Sequence, residues 1–238
     1  MGAGAEPHPG SRGVRPGRLA AVTAVVVLVG LGAGYVGHRL LGGSSTSHAP
    51  ALAASGGQYD GLRGEATWPA GARPAPAIPP LRDQNGSVFS LASLRGRPAM
   101  VTFLDAVCKT DCPLSGRALA AAESTLPAAK RPALVVVSVN PKNTAANARA
   151  ALREWGLTGL GPVYWLLGAK RTLAPVWHSY DINVQFTKAD VIHTDALFLL
   201  DRNLDERSAY LWPYMPRFVD HDLRIIDRTP LAAGSQRG

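Results

Sequence analysis

The stretch Ala99–Leu126 reads AMVTFLDAVCKTDCPLSGRALAAAESTL, and three of its features decide the fold. Ala99–Leu104 is a short apolar run, β-branched and aromatic, of the kind that makes a strand buried on both faces. Leu114–Leu126 has helical spacing and predicts a helix with Leu114, Ala118, Ala121 and Ala122 on one face. Between them lies Asp105–Pro113, which holds both cysteines of the chain, Cys108 and Cys112. A strand, a cysteine loop and a helix in that order place the loop at the carboxyl end of a strand, where α/β folds put their ligands.

The pattern continues outward from this unit. Ala133–Val139 and Val163–Leu167 read as two further buried strands. Thr144–Trp155 reads as a helix stopped by Gly156, and Lys170–Tyr180 as another. Asp195–Asp201 and Arg207–Leu211 predict a closing strand pair. Upstream, Leu81–Leu91 places Asn85-Gly86 between alternating stretches, which predicts a type I′ hairpin because both residues accept positive φ. Hairpin followed by β-α-β-α-β-α-β-β implies a mostly parallel sheet flanked by helices. The expected fold class is α/β, a thioredoxin-like domain over residues 79–230.

The chain has 238 residues, enough for one such domain plus appendages. Residues 1–18 form a basic N-terminus. Residues 19–41 are predicted as a transmembrane signal anchor, because Leu19–Val36 carries no charge over a length near the low end of the ~17–25 residues that span a bilayer core. Arg12, Arg15 and Arg18 precede it, so the N-terminus is expected in the cytoplasm and the domain outside a plasma membrane. The competing reading is a cleaved signal peptide at Ala51-Leu52-Ala53, about fifteen residues past the apolar run. Both export the domain to an oxidising compartment. Residues 42–78, rich in Gly, Ser, Ala and Pro, are expected to be a tether, and residues 231–238 a flexible tail.

Composition excludes several classes. Two cysteines cannot supply a disulfide-dense scaffold, a four-thiolate iron–sulfur cluster or a Cys-rich zinc module. With 46% hydrophobic and 18% charged residues, the bulk of the chain is no disordered polyelectrolyte. The net charge of +8 is spread along the chain without aromatic-interleaved basic clusters, so a nucleic-acid partner is not expected.

The CxxxC spacing sets Cys108 and Cys112 one helical turn apart, near a helix N-terminus that favours thiolates, with Pro113 in the first turn. Two thiolates can run thiol–disulfide exchange. Two thiolates and an imidazole make a copper site, since thiolates favour Cu(I) and imidazole accepts Cu(I) or Cu(II). An inert disulfide is the plainest alternative, but a bond enclosing three residues stabilises little. Of six histidines, His193 is the candidate third ligand. It is read in a loop just before an apolar strand, within reach of the cysteine loop. His8, His38 and His48 belong to the N-terminal segments, and His178 and His221 are read as exposed.

The run VTFLDAVCKTDCPL resembles the CxxxCP segment of the Sco/SenC family, membrane-anchored thioredoxin-fold copper proteins of cytochrome c oxidase assembly. Segments in the same order as the family's are LRDQNGSVFSLASLRGRPAMVTFL, VVVSVNP, YWLLGAKRTLAPVWHSYDINV and IHTDALFLLDRNLDERSAY, together covering about residues 79–212. The resemblance implies that Cys108, Cys112 and His193 bind copper, and that the chain serves the CuA centre of a membrane-embedded oxidase subunit. It also implies a copper donor and a thiol reductant as partners. It equally permits a thiol–disulfide oxidoreductase in which Cys108 and Cys112 keep client cysteines reduced. Departures from the family pattern are Asn140 in place of Asp after the second strand, and Asp201-Arg202-Asn203-Leu204 where the family has Asp-x-x-Gly.

Overall fold

The computed structural model describes residues 58–232. The expected anchor over 19–41, the basic N-terminus and the first part of the tether lie outside the described residues. Among the described residues no helix is long and apolar enough to cross a membrane.

The strands are β1 (Ala66–Thr67), β2 (Ala99–Leu104), β3 (Ala133–Ser138), β4 (Val163–Leu166), β5 (Val184–Phe186), β6 (Val191–His193), β7 (Ala196–Leu200) and β8 (Glu206–Leu211). The helices are α1 (Asp111–Ser124), α2 (Ala145–Glu154), α3 (Lys170–Ser179) and α4 (Pro216–Ile226). Six strands form one sheet in the order β1-β8-β7-β2-β3-β4, and β5 and β6 form a separate hairpin. β2, β3 and β4 run parallel, whereas β7, β8 and β1 are joined by antiparallel pairings. The sheet is therefore mixed, with β2 near its centre, and not mostly parallel as expected: three of its five pairings are antiparallel, because β1 also joins the closing pair.

Strand alternation divides the core in two. Val101 and Phe103 of β2 pack on one face with Val135, Leu173 and Trp177. Met100 and Leu104 face the opposite layer, with Leu119 of α1, Leu152 of α2 and Leu223 of α4. Every residue of β2 and β3 is buried. Each large apolar side chain so placed contributes roughly 1.5–3 kcal/mol relative to exposure. That is why both strands read as unbroken apolar runs.

Several expectations need correction. The turn at Asn85-Gly86 is not type I′, because only Gly86 takes positive φ, at 84°. Asp83 carries the turn instead: its Oδ1 accepts the N–H groups of Asn85 (2.8 Å) and Ser87 (2.9 Å). The flanking residues meet only as a single bridge, Arg82 to Val88. The predicted face of α1 is also displaced. Leu114 is 48% exposed, while Cys112, Ser115, Gly116, Leu119, Ala122 and Glu123 are buried. Apolar spacing cannot see that Ser115 and Glu123 have polar partners, Tyr214 Oη (3.0 Å) and the Gly161 N–H (2.9 Å).

Residues 58–78, expected within the 42–78 tether, belong to the packed domain, and residues 42–57 lie outside the described residues. Leu62 is fully buried, β1 pairs with β8, and the Arg63 N–H donates to both carboxylate oxygens of Asp222. Composition reported Gly, Ala and Pro but not the partners waiting for them. β1, the β5–β6 hairpin and α4 were not predicted, the first two being only two or three residues per strand. Leu204, where the family pattern has Gly, adopts φ 68° and is 7% exposed. Its burial offsets a left-handed backbone that costs about 1–2 kcal/mol for a residue with a Cβ.

Gly116 allows the close approach of α1 to the residue that ends α2. An added Cβ would stand 2.5 Å from Cε3 of Trp155. Gly116→Ala is expected to destabilise the protein by about 1–3 kcal/mol through overpacking, read as a lowered urea midpoint with an unchanged slope.

Candidate metal centre

β2 ends at Leu104, and the chain turns through Asp105–Thr110 into α1. Asp105 builds that turn. Its Oδ1 accepts the Val107 N–H at 3.0 Å, and its Oδ2 accepts Asn140 Nδ2 at 3.0 Å. Asn140, one of the departures from the family pattern, thus supplies a neutral donor to a buried carboxylate; a carboxylate there would repel it.

Cys112 is the second residue of α1 and is 1% exposed. Its Sγ accepts the Asp105 N–H at 3.5 Å. Cys108 lies on the loop, half-buried, with Sγ 3.5 Å from Thr110 Oγ1. Thr110 makes no side-chain cap to α1, so its hydroxyl is free for the sulfur. Both cysteines are free thiols.

His193 ends β6 and pairs with Val184 of β5, so it sits on a strand rather than in the expected loop. Its Nε2 stands 3.6 Å from Cys112 Sγ across 81 residues of sequence. Its Nδ1 is 3.1 Å from the Thr194 carbonyl oxygen. That oxygen can only accept, so Nδ1 carries the proton and Nε2 presents its lone pair toward the sulfur. Bonds of about 2.3 Å to sulfur and 2.0 Å to imidazole nitrogen, opened to a tetrahedral angle, separate two ligand atoms by about 3.5 Å. Cys112 and His193 therefore already stand at the spacing of atoms sharing one ion. Among the described residues no three His, Cys, Asp or Glu side chains are gathered as a finished cluster. Cys108, on the adjoining loop, is hydrogen-bonded to Cys112 and completes a group of two sulfurs and one imidazole.

The three side chains line one cavity of about 270 Å³, together with Asp111, Asp195 and Trp212. The two sulfurs are electrostatically unequal. A hydrogen bond from the Cys112 thiol, helped by Thr110 and opposed by burial, lowers the Cys108 pKa to about 5. The same bond and burial push the Cys112 thiol far up. The pair holds one proton between two sulfurs, with the negative charge on the accessible one. Cys108 is thus the nucleophile, and Cys112 the buried partner.

Asp195 was read only as the start of a strand. Burial pushes its carboxyl up to about 7, with Ser115 Oγ donating to Oδ1 at 3.4 Å and Oδ2 buried without a hydrogen-bond partner. A carboxylate heading an apolar strand was the available signal. His178 is exposed on α3, and His221 bonds its neighbour Asp222 at 3.1 Å; neither lines the cavity. His8, His38 and His48 fall outside the described residues.

Comparison with known proteins followed the same lines. A family model described as SCO1/SenC matches residues 80–214. The structure of Bradyrhizobium japonicum ScoI with copper bound is similar at 25% identity and a TM-score of 0.51, over 65% of this chain and 99% of that one. Yeast Sco1 with copper bound is similar at 18% identity and a TM-score of 0.54, over 69% and 93% of the two chains. BsSco, described as a member of the Sco family of cytochrome c oxidase assembly proteins with a disulfide switch, is similar at 16% identity and a TM-score of 0.54, over 67% and 98%. No curated protein sequence matches the chain. The fold is the thioredoxin-like α/β arrangement of these Sco structures.

The sulfur asymmetry predicts a pH profile. Thiolate is the reactive form, so alkylation of native protein by iodoacetamide should hold its rate from neutral pH down to about pH 5 and fall below it. Peptide mapping should find the label on Cys108, with Cys112 modified only after unfolding.

Proposed function

Because the chain belongs to the SCO1/SenC family, we propose that it binds copper through Cys108, Cys112 and His193 outside the cytoplasmic membrane and delivers it to the CuA-bearing subunit of a cytochrome c oxidase. The observation that carries this reading is the 3.6 Å approach of Cys112 Sγ to Nε2 of His193, whose Nδ1 is turned to the Thr194 carbonyl oxygen. Two sulfurs and one imidazole form a soft donor set suited to copper. Cys108 enters as a thiolate, and Cys112 loses its proton on ligation, so copper uptake is coupled to proton release. The half-exposed Cys108 lets a client thiol reach the cargo, while the buried Cys112 and the hairpin hold the remainder of the site. The uncharged Leu19–Val36, preceded by three arginines, supports a single-pass anchor with the domain on the extracytoplasmic side. A copper donor and a thiol reductant complete the cycle.

The unequal sulfurs favour a second reading, a thiol–disulfide oxidoreductase. The Cys108 thiolate attacks one sulfur of a client disulfide, and the other client sulfur leaves as a thiolate. Cys112 then gives up its proton and attacks Cys108 Sγ in the mixed disulfide. The Cys108–Cys112 bond closes, the second client sulfur leaves, and two electrons have passed to the client. The Cys112 proton goes to a released client thiolate.

Titration of the reduced full chain in detergent with Cu(I), without oxygen, separates the two. His193→Ala is expected to weaken Cu(I) binding about tenfold or more while leaving the dithiol potential in place. Cys108→Ser is expected to abolish reduction of a client disulfide. An unchanged copper affinity in His193→Ala overturns the delivery reading and leaves the dithiol chemistry.

A further inference from the structure

At the end of the sheet opposite the sulfurs lies a cationic recess with no role in copper or thiol chemistry. β2 starts there at Ala99 and ends at the cysteine loop, a rise of about 20 Å over its length. The recess encloses about 180 Å³ and is walled by Arg97, Lys130, Arg131 and Arg202, with Asp227 the one acidic wall residue. Lys130 Nζ pairs with Asp227 at 2.7 Å. Among the described residues the three arginines make no ion pair with a carboxylate. The nearby Glu123 feels the charge of Arg131 but spends its carboxylate on the Gly161 N–H.

Each guanidinium is held through one N–H by a main-chain carbonyl. Arg97 Nη1 donates to Arg131 O (2.8 Å), Arg131 Nε to Leu126 O (3.3 Å), and Arg202 Nε to Gly96 O (3.0 Å). A guanidinium has five N–H donors, so most remain for a ligand, already oriented. Planar forks held in this way suit phosphate oxygens. Exposed Arg95 and Arg228 flank the same end.

Both ends of the described chain are fastened beside this recess. Asp60 pairs with Arg207, which also reaches Thr229 Oγ1 (2.9 Å) and Asp201 Oδ2 (3.7 Å). The Ala232 N–H donates to Asn203 Oδ1 at 2.8 Å. Asp201 and Asn203 flank Arg202 in the β7–β8 turn. The described chain therefore begins, at residue 58, and ends, at residue 232, on the cationic side of the domain.

We propose that the recess of Arg97, Lys130, Arg131 and Arg202 docks on the phosphate groups of an anionic lipid bilayer, seating the domain with its sulfur–imidazole site turned away from the surface. The choice of lipid phosphate over free phosphate rests on the anchored reading above and on where the chain attaches. Basic groups at an anionic leaflet gain in attraction, and salt screens them.

The test is hydrogen exchange on the full chain in nanodiscs of phosphatidylcholine alone or mixed with phosphatidylglycerol. Segments 95–98, 128–131 and 201–203 are expected to exchange roughly threefold or more slowly in the anionic discs, with 105–113 unchanged, and to lose that protection in about 0.5 M NaCl. The triple variant R97Q/R131Q/R202Q should lose the lipid dependence; R202Q alone, which leaves two of the three forks, should reduce it and guards against misfolding of the triple variant. Equal exchange in both discs with the chain embedded overturns the proposal and leaves the anchor standing. Protection of the same segments by inorganic phosphate in neutral discs overturns the assignment to lipid. If the chain fails to embed, the anchor reading falls; protection on adding anionic vesicles then still supports the docking face, and its absence overturns it.

Discussion

Thr102 of β2 stands opposite Leu197 of β7, and its hydroxyl donates to the Ala196 carbonyl at 3.0 Å. This antiparallel register brings the beginning of β7 to the end of β2. His193, three residues before β7, is thereby delivered to the loop that follows β2. The β5–β6 hairpin completes the placement, with the Thr194 N–H donating to the Asn183 carbonyl at 3.0 Å. A register slip of one residue would turn every β7 side chain to the opposite face and carry the imidazole away from the sulfur. The meeting of sulfur and imidazole is thus a by-product of one strand pairing, itself secured by strand residues buried on both faces.

The hydrogen bond between the two sulfurs, reinforced by the deeper burial of Cys112, makes two chemically identical thiols different. Cys112 is enclosed at the start of α1 and keeps its proton; Cys108 is half-open on the loop and loses it. The loop holds this arrangement through Asp105, which spends one carboxylate oxygen on the Val107 N–H and the other on Asn140. Asp195, Ser115 and Tyr214 form a polar floor behind the cavity. The same asymmetry would serve metal transfer or disulfide exchange. That is the physical reason one dithiol suits either reading.

The sheet also separates two kinds of chemistry by its length. Soft donors gather at the carboxyl end of β2. Fixed guanidiniums gather at its amino end, where both described chain ends are fastened. On the proposed reading, a domain anchored and charged at one end presents the other to partners, so orientation on a membrane and access to the cargo would come from a single polarity.

Much of this was legible in the residues alone. The order of the five longer strands and the first three helices, and the cysteine loop between β2 and α1, follow from local patterns: apolar runs, helical spacing and Gly156 at a stop. CxxxCP marked the site, and His193 was the histidine in the right stretch. What local patterns could not reach were features whose partners lie far along the chain. The polar face of α1 is buried because Ser115 meets Tyr214 and Glu123 meets Gly161. Leu62 to Thr67, expected in a tether, pack into the domain because Asp222 and β8 receive them. The four basic walls of the recess come from three separate loops, so no linear cluster announced them. A sequence determines which short segments can be strands, helices and thiol donors, because those preferences are set by neighbours within a few residues. Which sulfur keeps its proton, and which histidine meets it, depended on burial and strand register, and these exist only once distant segments are packed together.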